Sequence, residues 1–181
     1  MQGKKIIGLV ALTSTLLFAC NSNKQSTETK DTTATVTKDT AVVNNLAFKD
    51  AKLQSIYTSY IKLKDQLVAT KYDEAKPAAA ELAAALKGFE GCENAATIAN
   101  KISTAKDIKA QRAAFTDLNV ELIPVFKHTA LIAGTIYIQH CPMANNGDGG
   151  DWLASEKKIQ NPYYGDEMME CGRVAEEIKT K

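Results

Sequence analysis

The chain has 181 residues, 45% of them hydrophobic and 24% charged, with 22 basic against 21 acidic side chains. That is enough apolar material for one domain of ordinary size, so its four cysteines are not needed to hold together a miniature. The near-neutral balance, with Arg112 and Arg173 as the only arginines, excludes a nucleic-acid binder that works by neutralising phosphates.

The first residues read as an export signal. "MQGKK" is basic, and "IIGLVALTSTLLF", residues 6–18, is an apolar run too short to span a bilayer as a mature helix. The run ends in "LLFAC", which resembles the lipobox of bacterial lipoproteins through Leu17, Ala19 and Cys20. That resemblance implies cleavage before Cys20 and lipid on its sulfur, hence a protein anchored in the bacterial cell envelope. Removing residues 1–19 takes away Lys4 and Lys5 and no acid, which leaves a net charge of about −1 with histidine neutral. The residues after Cys20, "NSNK", carry no acidic cluster, and the expectation is an anchor facing the periplasm.

Residues 20–45 form the lipidated cysteine and a tether. The stretch is rich in Thr, Ser and Asn, with too few large apolar residues to offset the entropy of ordering it. As a flexible coil it would span roughly 25–30 Å.

A helical period then sets in. Leu53, Ile56, Tyr57, Tyr60, Leu63 and Leu67 recur at intervals of three and four and predict one apolar helix face. A second helix is predicted in "YDEAKPAAAELAAALKGF", with Asp73 as its cap, Pro77 near the first turn, and Gly88 or Gly91 ending it. "CENAATIANKIST" predicts a short third helix. Asp107 is placed to cap a fourth, in which Ile108, Phe115, Leu118, Leu122, Val125 and Phe126 form the buried stripe and Pro124 is placed to kink it.

After Ala133, "GTIYIQH" is β-branched and aromatic and favours a short extended segment. The region from Cys141 to Gly172 is irregular and rich in Gly and Pro, and "GDEMMECGRVAEEIK" predicts a short terminal helix. The fold class is thus mainly α: an antiparallel bundle of about four helices in a single domain over residues 46–181, with an irregular C-terminal segment.

Soft-ligand side chains gather in two motifs, "HCPM" (His140, Cys141, Met143) and "MMEC" (Met168, Met169, Cys171). On a helix Met168 and Cys171 would share a face, and "HCPM" folded against it would bring two thiolates, one or two thioethers and His140 together. Such donors select Cu(I) or Ag(I) over hard cations. The same two cysteines, 30 positions apart, could instead form a disulfide worth roughly 3–4 kcal/mol by chain entropy. The methionines would then be core fillers. A thiol redox sensor is a third reading and needs a depressed cysteine pKa.

Other features point less far. His128, on the fourth helix, belongs at a bundle end or makes one satisfied hydrogen bond, and Cys92, in "GFEGCENA", reads as an incidental thiol or an intermolecular link. "NNGDGGD" fails as a calcium loop. Counted from Asn146, the sixth position is Asp151 where glycine is needed and the twelfth is Lys157 where glutamate is needed. A tight turn that folds Trp152 back over the sulfur cluster or the bundle end is the better account. No nucleophile elbow, zinc-protease motif, phosphate loop or haem-attachment motif is present, and the expectation is a protein that is not an enzyme.

The run from Tyr137 to Ile178 resembles the end of the family known as domain of unknown function 3347 (DUF3347). The residues that carry the likeness are Cys141-Pro142-Met143, Trp152-Leu153, Ile159, Asn161-Pro162-Tyr163, Gly165, Met168 and Cys171-Gly172. The resemblance implies a helical exported domain, found alone in lipoproteins or attached to periplasmic adaptor subunits of copper/silver efflux pumps. "CPM" is also similar to the opening of small heavy-metal-binding modules of copper ATPases, with Ala144 where those usually have histidine.

These readings lead to one expectation. Cys141, Cys171, Met143 and Met168, with His140 nearby, would bind Cu(I) or Ag(I), and an efflux adaptor or pump would receive the metal. Asn161, Pro162, Tyr163, Trp152 and Gly165 would support the site from behind. The alternative is an interaction module without metal, in which a Cys141–Cys171 disulfide is structural and the Trp152 to Tyr164 surface docks onto an envelope partner.

Overall fold

The structure is a computed structural model that describes residues 46–180; the signal-like segment 1–19, Cys20 and the tether to residue 45 lie outside the described residues. It is mainly helical, with four helices and two small antiparallel sheets, so a bundle alone does not describe it.

Helix α1, Ala51–Val68, starts at Asp50, whose carboxylate accepts from the Lys52 N–H at 2.7 Å. All six residues of its predicted stripe are buried. Helix α2, Tyr72–Leu86, corrects one expectation, because its N-cap is Lys71 and Asp73 lies inside the first turn, 3.4 Å from the Lys76 ammonium. The chain reverses at Thr70, whose φ is +55°, and so enters the helix before Asp73 can serve as its cap. Ala75, Ala78, Ala79 and Ala83 are buried beside Leu82 and Leu86, which lets α2 lie close to its neighbours. Gly88, with φ +79°, follows the C-cap Lys87 and supplies the left-handed residue that ends the helix.

Helix α3, Glu93–Ser103, buries Ala95, Ala99 and Ile102. Helix α4, Ile108–Lys127, is capped by Asp107, which accepts from the Ala110 N–H at 2.7 Å. Phe115, Leu118, Leu122 and Phe126 are buried, Ile108 and Val125 are half-buried, and the helix continues through Pro124 to Lys127. His128 is its C-cap.

The strands complete the core. Strand β1, Ala47–Phe48, pairs with β2, Leu131–Ala133. Strand β3, Thr135–Cys141, is the extended segment foreseen in "GTIYIQH"; it lies between β4, Gly150–Ala154, and β5, Arg173–Lys179. The predicted terminal helix is therefore wrong. Only Gly165–Glu167 forms a 3-10 turn, and Arg173–Lys179 is a strand. The helix preference of "AEEIK" is worth a few tenths of a kcal/mol per residue. Pairing with β3 satisfies that strand's second row of amides and buries Ile178 opposite Ile136. The register shifts between Ile138, opposite Glu176, and Gln139, opposite Val174, so Ala175 is a bulge.

A polar network runs through the middle of this core. Tyr60 donates to Asn119 Oδ1 at 2.6 Å, and the Leu153 N–H donates to the Tyr60 hydroxyl at 3.0 Å. Asn119 Nδ2 reaches Tyr163, whose hydroxyl donates to the Asp151 carbonyl at 2.7 Å. These bonds tie α1, α4 and β4 to the "NPYYG" segment.

Candidate functional site: a cysteine pair at the end of β3

In the β3–β5 ladder His140 faces Arg173, so Cys141, the next residue, faces the turn that leads into β5. That pairing brings together two cysteines 30 positions apart, with Cys141 Sγ 3.1 Å from Cys171 Sγ. The pair is asymmetric: Cys141 is fully buried, whereas Cys171 is partly exposed. The shared hydrogen bond with Cys141, followed by desolvation, raises the Cys171 pKa, while the Met143 N–H acts in the opposite direction. The depressed pKa of a fast-reacting sensor thiol is therefore not found at Cys171, and any exchange through it is slow at neutral pH.

Asn161 holds the Cys171 side in place. Its N–H donates to the Met169 carbonyl at 2.9 Å and its Nδ2 to the Cys171 carbonyl at 2.8 Å, while its Oδ1 accepts from the Tyr163 N–H at 2.8 Å. The side chain is fully buried, so no water competes for these bonds. Pro162 presents its carbonyl to Arg112 Nε at 2.9 Å, and Arg112 Nη2 also reaches the Leu67 carbonyl and Thr70. Gly165, with φ +58°, lies against the end of α1, where a Cβ would come within 2.7 Å of the Val68 carbonyl. The supporting residues expected behind the site thus form a latch between helices and sheet.

Gly172 allows a second close approach. A Cβ there would meet the His140 carbonyl at 2.8 Å and Trp152 Cη2 at 3.1 Å. Trp152 is fully buried and packs edge-on to Tyr163 with centroids 6.0 Å apart. It stands beside the turn next to Cys171 as part of the core. The preceding turn has positive φ at Asn145, Asn146, Gly147 and Gly149, which is the tight turn expected there.

The remaining candidates separate. Met168 is not on a helix; its carbonyl accepts from the Cys171 N–H at 3.1 Å, so the two residues flank a turn. Met143 lies within the turn after Cys141 and is 53% exposed, which rules it out as a core filler. His140 leaves the cluster, because neighbours along a strand point to opposite faces. Its Nδ1 lies 2.8 Å from Asp151 Oδ1, and its ring borders a different cleft of about 300 Å³, lined also by Thr116, Val120, Ile123 and Asp148. Among the described residues no three His, Cys, Asp or Glu side chains gather into a metal-binding group. Methionine sulfurs would have to complete any coordination at the cysteine pair.

Cys92 is buried in the core, with its pKa raised by desolvation and then by Glu93 and Glu121, so it is not presented for an intermolecular link. Two contributors went unforeseen. The Tyr164 hydroxyl donates to the Met143 carbonyl at 2.6 Å and pins the loop that carries "CPM", and Arg112 holds Pro162. The doubled tyrosine in "NPYYG" was the available signal for the first; nothing local marked the second.

Residues 56–134 match the family model described as protein of unknown function (DUF3347). The matched stretch runs from within α1 to Gly134 and stops before the strand that carries His140 and Cys141. No curated protein and no solved structure matches the chain. Among the described residues no helix is long and apolar enough to cross a membrane.

Proposed function

We propose that this chain, which belongs to the DUF3347 family of proteins of unknown function, binds Cu(I) or Ag(I) through Cys141 and Cys171 and passes the ion on. The observation that carries this reading is the 3.1 Å approach of the two sulfurs, held from behind by Asn161. Two thiols in contact favour a soft, weakly hydrated cation. Met143 and Met168 are the thioether ligands, each within three residues of a pair cysteine.

The metrics fit with modest movement. With metal–sulfur bonds of about 2.3 Å, trigonal or tetrahedral coordination separates two sulfurs by roughly 3.8–4.0 Å. The pair must therefore open by under about 1 Å, which the partly exposed Cys171 can supply while Cys141 stays fixed. An ion held by two thiolates, the exposed Met143 and the half-buried Met168 is open to ligand exchange, which suits a carrier. The lipobox-like "LLFAC" supports anchoring through Cys20 and a periplasmic position, and an efflux adaptor or pump is the proposed recipient.

A second reading keeps the Cys141–Cys171 bond as a structural staple without metal, and the same proximity favours it. Its docking surface needs correction, since Trp152 and Tyr163 are buried and only Tyr164 of the expected aromatics is partly exposed. Native mass spectrometry of the reduced full chain with one equivalent of Cu(I) tests the metal reading. A one-copper adduct that disappears in Cys171→Ser supports it; an adduct that survives in both cysteine variants overturns it.

A further inference from the structure

We infer that Cys141 and Cys171 form a two-electron thiol–disulfide couple with a fixed order of attack, entered through Cys171 and resolved by Cys141. Three features of the structure lead there. The sulfurs are already in contact at 3.1 Å. Cys141 is fully buried within the core cluster, so a reagent reaches it only slowly, whereas Cys171 is partly exposed at a turn. Asn161 and the Met168–Cys171 turn hold the Cys171 backbone, so the sulfur stays beside its partner after it has reacted.

The co-reactant is a small disulfide, R–S–S–R. Cys171 Sγ bonds to one of its sulfurs as the R–S–S–R bond breaks, and the first RSH leaves with the Cys171 proton. Cys141 Sγ then attacks Cys171 Sγ, the mixed disulfide breaks, and the second RSH leaves with the Cys141 proton. Two electrons pass from the pair to the reagent, giving one internal disulfide and two RSH. This chemistry does not require the metal reading. If that reading also holds, oxidation consumes both thiolate donors, so disulfide and bound metal exclude each other and the oxidant controls loading.

The direct test treats the metal-free, fully reduced full chain with oxidised glutathione, quenches with acid, and maps adducts by peptide mass spectrometry. The wild type should end as a Cys141–Cys171 disulfide, with glutathione seen transiently on Cys171 and not on Cys141. In Cys141→Ser the adduct should accumulate at Cys171. In Cys171→Ser, adduct formation at Cys141 should be slower by on the order of tenfold or more. Cys141→Ala, checked by circular dichroism, replaces the serine variant if that one unfolds. Equal adduct rates at the two cysteines, or a wild type that stops as a stable glutathione adduct, would overturn the proposal. Because no metal is present, failure to bind copper leaves the result standing, and failure to exchange leaves the copper reading standing.

Discussion

Asn161 donates from its buried side-chain nitrogen to the carbonyl of Cys171 at 2.8 Å, across ten residues of chain, and so fixes the backbone of one pair cysteine from the core side. Replacing it with alanine leaves the Cys171 carbonyl and the Tyr163 N–H without these partners in a buried setting. Asn161→Ala should destabilise the fold by about 2–4 kcal/mol, read by urea denaturation. If copper binds at the pair, affinity should fall by roughly tenfold to a hundredfold. A variant with wild-type stability and affinity would show that the clamp is incidental.

Gly165 and Gly88 both have positive φ, but only the first meets steric opposition. A Cβ at Gly165 would lie 2.7 Å from the Val68 carbonyl and 2.8 Å from Arg112 Nη2, whereas Gly88 has open space. Gly88→Ala should cost about 1 kcal/mol from backbone strain alone. Gly165→Ala should cost at least about 2 kcal/mol more, because a carbonyl of α1 must shift. Equal midpoint shifts in thermal melts would contradict the close packing of the latch onto α1.

Lys64 is nearly fully buried, with its ammonium 2.6 Å from Glu156 and 2.9 Å from Asp65. Removing one partner of a buried pair costs more than removing the pair's charge altogether. Glu156→Gln leaves the buried Lys64 ammonium with Asp65 alone and should destabilise by about 2–3 kcal/mol, while Lys64→Met removes the buried charge, leaves Glu156 and Asp65 open to water, and stays within about 1 kcal/mol of wild type. Denaturant midpoints measured side by side would decide; the reverse order would refute the reading.

Burial raises the hydroxyl pKa values of Tyr57, Tyr60 and Tyr163 above the ordinary tyrosine value. The folded state therefore keeps three protons that the unfolded chain releases above pH of about 10. This stabilisation is complete below that pH and is lost as pH rises toward the folded values. Stability should fall by up to about 4 kcal/mol per pH unit there, and by about 1.4 less per unit in Tyr57→Phe. Urea melts between neutral pH and strongly basic pH give the slope, and an unchanged slope in Tyr57→Phe would contradict it.

Helix faces and one cap were legible because they depend on local spacing. The α1 stripe repeats at helical intervals, and Asp107 stands just ahead of an apolar run. Strand β5 was not legible, since "RVAEEIK" carries helix-favouring residues and becomes a strand only because β3 offers an unpaired edge. The cysteine pair itself was anticipated from two separate motifs. His140 was misplaced for a local reason, because adjacency in sequence means opposite faces in a strand. The burial of Trp152 and the Asn161 clamp depend on packing from several elements, which no window of sequence contains.

An anaerobic competition titration of the reduced full chain against a Cu(I) chelator decides whether the Cys141–Cys171 pair holds one soft cation. The expected result is a one-to-one complex that withdraws copper from the chelator. Affinity should fall by at least about a hundredfold in Cys141→Ser and Cys171→Ser, and by less in Met168→Leu. Copper that stays on the chelator, or binding that survives loss of either cysteine, would contradict the claim and leave the pair as a staple between β3 and β5.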